Sequence, residues 1–273
     1  MVDFHLHTPY CGHAEGAITQ YIDTAIAVGL SEICFTEHVY RYYLPLSQRK
    51  RYWDWGIDEA RLMRYCAELK EMQELYRGQI TIRIGLEADY IDGADEQLAP
   101  IISAFPYDFI LGSIHCIPRI SWHHLSNNTV GNPSLIYREY FKLACAAAES
   151  GLFQSIAHID FIWRYIPWPV SATFEIFADI ARFVQCAKQH EASIEINSNG
   201  YIWSQEHPAI GSDPFEVLIE NIRSAGATIT IGSDAHKPDF VAKAFDDIRT
   251  MLTSKGITTV TAYTQKKPTA IPL

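Results

Sequence analysis

Val2-Asp3-Phe4-His5-Leu6-His7 opens the chain, with apolar Val2, Phe4 and Leu6 alternating against Asp3, His5 and His7. A period of two residues is the signature of a β-strand, whose successive side chains point to opposite faces. His5 and His7 therefore share a face. Two neutral imidazoles so placed grip one metal ion if a carboxylate from elsewhere converges on them. A single His-x-His is better accounted for by a surface strand that carries two histidines by accident, so the rest of the chain must decide.

Strands and helices alternate along all 273 residues. Ile18, Tyr21, Ile22, Ala25 and Ile26 repeat at helical spacing and Gly29 is placed to end that helix. Ser31 to Thr36 reads as a second strand, followed by a basic and aromatic loop over 40–55. Asp58 is placed to cap a long helix that Gly78 closes, before a third strand at Ile80 to Leu86. Further strands are expected at 109–114, 153–157, 193–197 and 228–231. Helices are expected at 95–103, 133–149, 172–190, 213–225 and about 241–254, with loops over 116–133 and 198–208 and an extended tail carrying Pro268 and Pro272. Seven strands joined through helices imply parallel pairing. Closing that sheet gives an α/β barrel one unit short of the eight-stranded type. An open doubly wound sheet is the alternative, but no glycine-rich phosphate loop follows the first strand. No repeat, linker or low-complexity segment divides the chain, so a single domain over 1–273 is expected.

Composition narrows the class. The chain is 48% hydrophobic and 20% charged, as in ordinary globular proteins. No apolar run reaches the ~18 residues that span a bilayer, and no basic-then-apolar leader is visible, so no membrane partner and a cytoplasmic address are expected. Six cysteines without a C-x-x-C pair suit reduced, buried thiols. A formal charge of −10 disfavours a nucleic-acid partner but leaves a small anionic substrate open, because bound cations dominate the field inside a site.

What stands where each strand runs out is more specific. His5 and His7 end the first strand, His38 the second, Glu87 the third, His115 the fourth, His158 the fifth, and Asp234 and His236 the seventh, while His13 follows in the first loop. In a parallel barrel all of these ends open on one face, where such folds keep their chemistry. His190, near the end of a helix, is accounted for by the helix dipole.

His5-x-His7, Thr36-Glu37-His38, Gly85-Leu86-Glu87, Gly112-Ser113-Ile114-His115, Ala157-His158 and Gly232-Ser233-Asp234-Ala235-His236 resemble the metal motifs of the PHP (polymerase and histidinol phosphatase) phosphoesterases. The resemblance covers nearly the whole chain. Ile33-Cys34-Phe35-Thr36-Glu37-His38, Glu87-Ala88-Asp89-Tyr90-Ile91 and Glu195-Ile196-Asn197 are similar to its histidinol-phosphatase branch. It implies a distorted seven-stranded (β/α)7 TIM-like barrel holding three divalent metal ions. His5, His7, Glu87 and Asp234 would hold the first, and Glu87 would bridge to a second on His115 and His158. His13, His38 and His236 would hold the third. Two carboxylates and seven imidazoles suit zinc, iron or manganese, whereas magnesium and calcium prefer oxygen alone. Cys11 and Cys116 read as packing residues. The expected reaction is in-line attack of a metal-bound hydroxide on a small phosphorylated metabolite, L-histidinol phosphate first, without a covalent enzyme intermediate.

Other residues fill out the expected site. Arg164 resembles a phosphate-holding arginine of the branch, and its planar fork suits that task. Asp160 is placed to orient an imidazole or to cap a helix. His207 is a substrate contact or a plain loop residue, and His123 and His124 line a rim. The branch carries a second arginine where this chain has Gly200-Tyr201-Ile202-Trp203, so a residue of the Arg41 to Arg51 loop would have to substitute. That departure keeps open another metabolite or a nucleoside monophosphate as substrate. Trp122, Tyr201 and Trp203 would stack on a ring or pack the barrel rim. A nuclease module and a non-catalytic metal protein are the remaining classes. An amidohydrolase is disfavoured, because Glu87 is the better bridge candidate and no lysine stands at a strand end except Lys237, just after His236.

Overall fold

The computed structural model describes residues 1–40, 42–45, 57–127, 131–207 and 213–273. Seven parallel strands run in sequence order: β1 (Val2–Leu6), β2 (Glu32–Tyr40), β3 (Thr81–Asp89), β4 (Phe109–Ser113), β5 (Ser155–Ile156), β6 (Ser193–Asn197) and β7 (Ile229–Gly232). The ends of this sheet nearly meet. Asp234 N donates to His5 O at 2.8 Å and His7 N to Ala235 O at 3.1 Å, which joins β1 to the segment after β7. The result is the seven-stranded barrel rather than the open sheet.

Helices α1 (Ile18–Ala27), α2 (Glu59–Leu75), α3 (Asp95–Ser103), α4 (Pro133–Glu149), α5 (Phe161–Tyr165), α6 (Thr173–Gln189), α7 (Ser198–Glu206), α8 (Pro214–Ala225) and α9 (Phe245–Ser254) supply the connections. The Asp58 side chain accepts from Arg61 N at 2.8 Å and so satisfies an orphan donor at the start of α2. α1 buries Ile18, Tyr21, Ile22 and Ala25, the stripe that its spacing implied.

Three departures from the sequence reading have physical causes. Register shifts between Asp3 and Leu6, so β1 does not keep strict alternation. Consecutive Phe4 and His5 both reach across the barrel, Phe4 to Phe109 edge-on at 5.4 Å and His5 to Glu195 at 2.6 Å. The segment after β6 is a helix, α7, not a loop. Asn197 caps it directly from the strand by accepting from Asn199 N at 2.9 Å, a start with no linker residues to betray it. The tail is a paired hairpin, β8 (Thr259–Thr264) with β9 (Lys267–Pro272). Its turn residues Gln265 and Lys266 have φ of 49° and 64°, unfavourable without glycine. Asp108 holds them there, accepting from Gln265 N at 3.0 Å and Lys266 N at 2.8 Å. Smaller shifts are a β2 that continues to Tyr40, a β5 of two residues, and the short helix α5 in a stretch for which no element was expected.

Among the described residues no helix is long and apolar enough to cross a membrane.

Candidate metal centre

Every strand but one sends a titratable side chain to the upper rim. Glu87, at the C-terminal end of β3, is the hub, buried with about 1% of its side chain exposed. Its Oε1 lies 3.0 Å from His158 Nε2 and 3.6 Å from His115 Nε2. Its Oε2 lies 2.7 Å from His38 Nδ1, 3.4 Å from His5 Nε2 and 3.5 Å from His7 Nε2. The two nitrogens of His5 and His7 converge at 3.0 Å, as their shared strand face required. Asp234 Oδ1 closes the same group at 3.1 Å from His7 Nε2. His13 and His236 complete the array, their rings stacked at 4.6 Å, with His236 over His7 at 4.1 Å and His13 over His38 at 5.2 Å. All nine residues expected as ligands thus lie around one rim.

Behind the imidazoles stands a row of carboxylates. Glu195 Oε1 is 2.6 Å from His5 Nδ1, Asp89 Oδ1 is 2.6 Å from His115 Nδ1, and Glu37 Oε1 is 3.6 Å from His7 Nδ1. A carboxylate accepts, so Glu195 and Asp89 each fix a proton on the rear nitrogen and turn the front one toward Glu87, while Glu37 stands beyond hydrogen-bond reach and places its charge behind His7. Glu195 Oε2 also accepts from His158 N at 2.6 Å. Glu37 is itself anchored by Thr8 N at 3.0 Å and the Thr8 hydroxyl. The motif stretches contained these three acids, but their position behind a ligand was not read. The available signal was a charged residue at a buried position of an apolar strand, as in Ser193-Ile194-Glu195-Ile196, which has to be answered by a partner.

Close approach makes one glycine indispensable. A Cβ on Gly232 would overlap Glu195 Oε1 and His5 Cβ. Two rim residues also hold strained backbone, Asp234 at φ 54° and His158 at φ 20°. Each is pinned through its amide, Asp234 by His5 O and His158 by Glu195, which is where such strain persists.

Electrostatics shows what the array demands. Burial penalises the Glu87 and Asp234 carboxylates, yet the surrounding imidazoles hold both well below the ordinary carboxylate range. Burial likewise opposes charge on His7, but the Asp234 and Glu37 carboxylates outweigh it and hold it up at about 9. The outer imidazoles behave oppositely. Burial and neighbouring histidines lower His13 to about 4 and His236 to about 2. The centre therefore gathers ionised acids around inner imidazoles that their charge holds protonated, His5 and His7 foremost, and outer imidazoles kept neutral; a divalent cation would take the place of the inner protons.

Donor groups close enough to share an ion occur as His5-His7-Glu87, Glu87-His115-His158 and His7-His38-His236, the atoms of each within 4.8 Å of one another. His236 Nε2 is buried with no hydrogen-bond partner among the described residues. Orphaned imidazole nitrogens around a shared carboxylate fit zinc, iron or manganese. Cys11 also comes within 4.8 Å of His13 and His236, but its Sγ donates to Thr8 O at 3.1 Å and burial pushes the thiol up, as befits a packed residue.

Beside the array opens a cavity of about 390 Å³ walled by Tyr40, His124, Phe161, Arg164, Tyr165 and Asn199 along with rim histidines. Arg164 Nε is ion-paired with Asp160 Oδ2 at 3.2 Å, and neither its Nε nor its Nη2, both buried, has a hydrogen-bond partner among the described residues. Asp160 thus pairs its charge with the guanidinium, and no hydrogen bond joins it to an imidazole among the described residues. A Cβ on Gly200 would overlap the Asp160 carboxylate, so α7 can approach it only through a glycine. His207 does not line the cavity. It ends α7, exposed, with Nδ1 donating to Trp203 O at 3.0 Å and its ring stacked on Trp203 at 4.7 Å. Asn199 at the other end of that helix touches Asp234 at 3.3 Å, and eight residues of helix carry His207 about 12 Å along the axis. Tyr201 packs on Phe215, and Trp122 against the core. Arg41 and residues 46–56 of the basic loop lie outside the described residues.

The PHP domain family model matches residues 3–199, well over half of the chain. The chain belongs to the PHP domain family. A relative from Deinococcus radiodurans named "Probable histidinol-phosphatase" is 28% identical over 270 residues, covering 96% of each chain. The histidinol-phosphatase of Lactococcus lactis is 25% identical over 276 residues, covering 97% of this chain and 95% of that one. A crystal structure of histidinol phosphate phosphatase from Lactococcus lactis, complexed with zinc, L-histidinol and phosphate, superposes with a TM-score of 0.81 at 22% identity, over 98% of both chains. The PHP fold therefore extends through the whole described chain, hairpin included.

Proposed function

We propose that this PHP chain is a metal-dependent phosphomonoesterase that hydrolyses L-histidinol phosphate to L-histidinol and phosphate. The observation that carries the reading is the nine-residue array opening directly into a cavity that also contains an oriented, incompletely paired arginine. His5, His7, Glu87 and Asp234 would hold one divalent ion, Glu87 with His115 and His158 a second, and His13, His38 and His236 a third. Ions so held supply an activated water and neutralise charge on the phosphoryl oxygens and the leaving alkoxide.

The protein's own groups do the positioning. Arg164 offers its fork to the phosphate, with the Asp160 carboxylate 3.2 Å from its Nε and the Phe161 ring centre 5.0 Å from the guanidinium. Glu195, Asp89 and Glu37 hold the imidazoles so that little reorganisation remains when charge develops. His124, stacked between Tyr40 at 6.3 Å and His115 at 5.1 Å, faces Phe161 edge-on at 5.3 Å, which makes an aromatic wall suited to a flat ring. The relatives named for histidinol phosphate support that ring as an imidazole. The −10 charge supports a small ester over a polynucleotide.

A panel of phosphate esters tests the assignment. With zinc or manganese present, kcat/KM for histidinol phosphate should exceed that for nucleoside monophosphates and a generic aryl phosphate. No preference over the aryl ester would sink the substrate, and turnover indifferent to chelation would sink the mechanism. Arg164→Lys, which keeps the charge but loses the fork, should raise KM about tenfold or more.

A further inference from the structure

Away from the rim, the C-terminal ends of α4 and α6 bring together side chains that the phosphatase does not use. In a β/α barrel the helices run against the strands, so these ends lie where β5 and β6 begin, at the opposite end from the rim. α4 presents Cys145 and Glu149 one turn apart, and α6 presents Cys186 with His190, its C-terminal cap, at the same spacing. Cys186 Sγ lies 3.5 Å from Cys145 O and 3.6 Å from Glu149 Oε1. Donor atoms of Glu149, Cys186 and His190 all fall within 4.8 Å of one another.

We propose that Glu149, Cys186 and His190, with Cys145 adjoining, form a second divalent-metal site of the zinc class that clips α4 to α6. Tetrahedral zinc with sulfur at ~2.3 Å and nitrogen or oxygen at ~2.0–2.1 Å sets its ligand atoms about 3.5 Å apart. The Cys186–Glu149 separation already matches that edge. A thiolate, an imidazole and a carboxylate suit a borderline-soft ion and not magnesium or calcium. His190 alone is explained by the dipole at a helix end, but Glu149 is not, because an acid at a C-terminus opposes that dipole until a cation answers it. Burial, reinforced by Cys145 and Glu149, pushes the Cys186 thiol up to about 12. It therefore waits as a thiol, and on binding its proton passes to solvent as the metal–sulfur bond forms. The site stands whatever ester the rim hydrolyses.

Cobalt separates the two centres spectroscopically, since the proposed rim ligands contain no sulfur. The reduced, metal-stripped full chain is titrated with Co²⁺ past the plateau of phosphatase turnover. A near-ultraviolet thiolate-to-cobalt band should appear, vanish in Cys186→Ser, and persist in Cys11→Ser, whose thiol lies near His13. Cys186→Ser should keep kcat/KM in cobalt within about twofold, and His190→Ala should raise the cobalt needed for half the band by about tenfold or more. No band at full turnover, a band that survives in Cys186→Ser, or one lost in Cys11→Ser would overturn the site. Should Cys186→Ser not fold, His190→Ala decides alone, and an unchanged cobalt dependence rejects the proposal.

Discussion

The two ends of the barrel are built on opposite terms. At the lower end, where the strands begin, Ser155 Oγ pairs with Thr230 Oγ1 at 2.9 Å, and Ser193 Oγ with the Tyr263 hydroxyl at 2.9 Å. Phe109 lies between Phe4 and Tyr263, the latter reaching in from the β8–β9 hairpin at 5.2 Å. Polar groups there are answered by polar groups and rings by rings. At the upper end, acids and imidazoles are buried together with atoms that have no hydrogen-bond partner among the described residues, His158 Nδ1 and His236 Nε2 among them. Buried charge is costly without compensation, so the upper end holds its shape only because the lower end and the walls are well packed. Substitutions at the rim should therefore remove activity and spare the fold, and substitutions below should do the reverse.

The sharpest way to break that contrast is Asp234→Asn. Asparagine tolerates the φ of 54° and keeps the shape, so only charge is removed. We expect kcat/KM to fall by about 10³-fold or more, with far-ultraviolet circular dichroism and the urea midpoint nearly unchanged. A variant that turns over normally would show that the array is not the active centre. The mirror experiment is Phe109→Ala. Loss of a fully buried ring between Phe4 and Tyr263 should cost about 3–5 kcal/mol in urea unfolding, while kcat/KM of the folded fraction stays within about twofold. If activity collapsed with little loss of stability, the division of labour between the ends would be wrong.

Much of the upper end could be read from the chain because its chemistry is punctual. A histidine or acid at the C-terminal end of every run but the sixth, from His5 to His236, needs no side-chain geometry to be noticed. The parallel barrel was legible for the same reason, since strand-like runs of four to seven residues alternate with 3.6-period stripes. What escaped notice depends on three-dimensional adjacency. Glu195, Asp89 and Glu37 act through a neighbour distant in sequence, so nothing in their own surroundings names the partner. Asp160 stands two residues from His158 yet serves Arg164, one helical turn on. His207 is near the site in sequence but is carried off by α7, a helix without a loop to announce it. The hairpin was hidden by a Gln-Lys turn that only Asp108 makes tenable.

Glu195→Gln sharpens the comparison from the rear of the rim. The amide keeps the size but weakens the hold on His5 Nδ1 and on His158 N, and metal affinity should fall about 10–100-fold. Competition with a fluorescent chelator measures that directly. Turnover should recover as metal is raised, which distinguishes loosened ligands from a lost catalytic group. Recovery should fail if Glu195 contacts the reacting atoms itself.

Tyr263→Phe is the smallest effect and the most exacting test. The hydroxyl donates to Gln154 O at 2.9 Å and pairs with Ser193 Oγ, so on a list of contacts it looks as well connected as Glu195. The difference lies in what its removal leaves behind. Gln154 O still accepts from Ser193 N at 2.9 Å, and Ser193 Oγ still has Thr228 Oγ1 at 2.9 Å. No buried group is orphaned, so only the net worth of the lost bonds is at stake, about 1 kcal/mol in urea unfolding at unchanged slope. Removing Glu195 instead leaves His5 Nδ1 facing nothing, and an orphaned polar atom costs more than the bond that served it. A loss beyond about 3 kcal/mol for Tyr263→Phe would mean that the lower end, too, depends on polar atoms with no second partner.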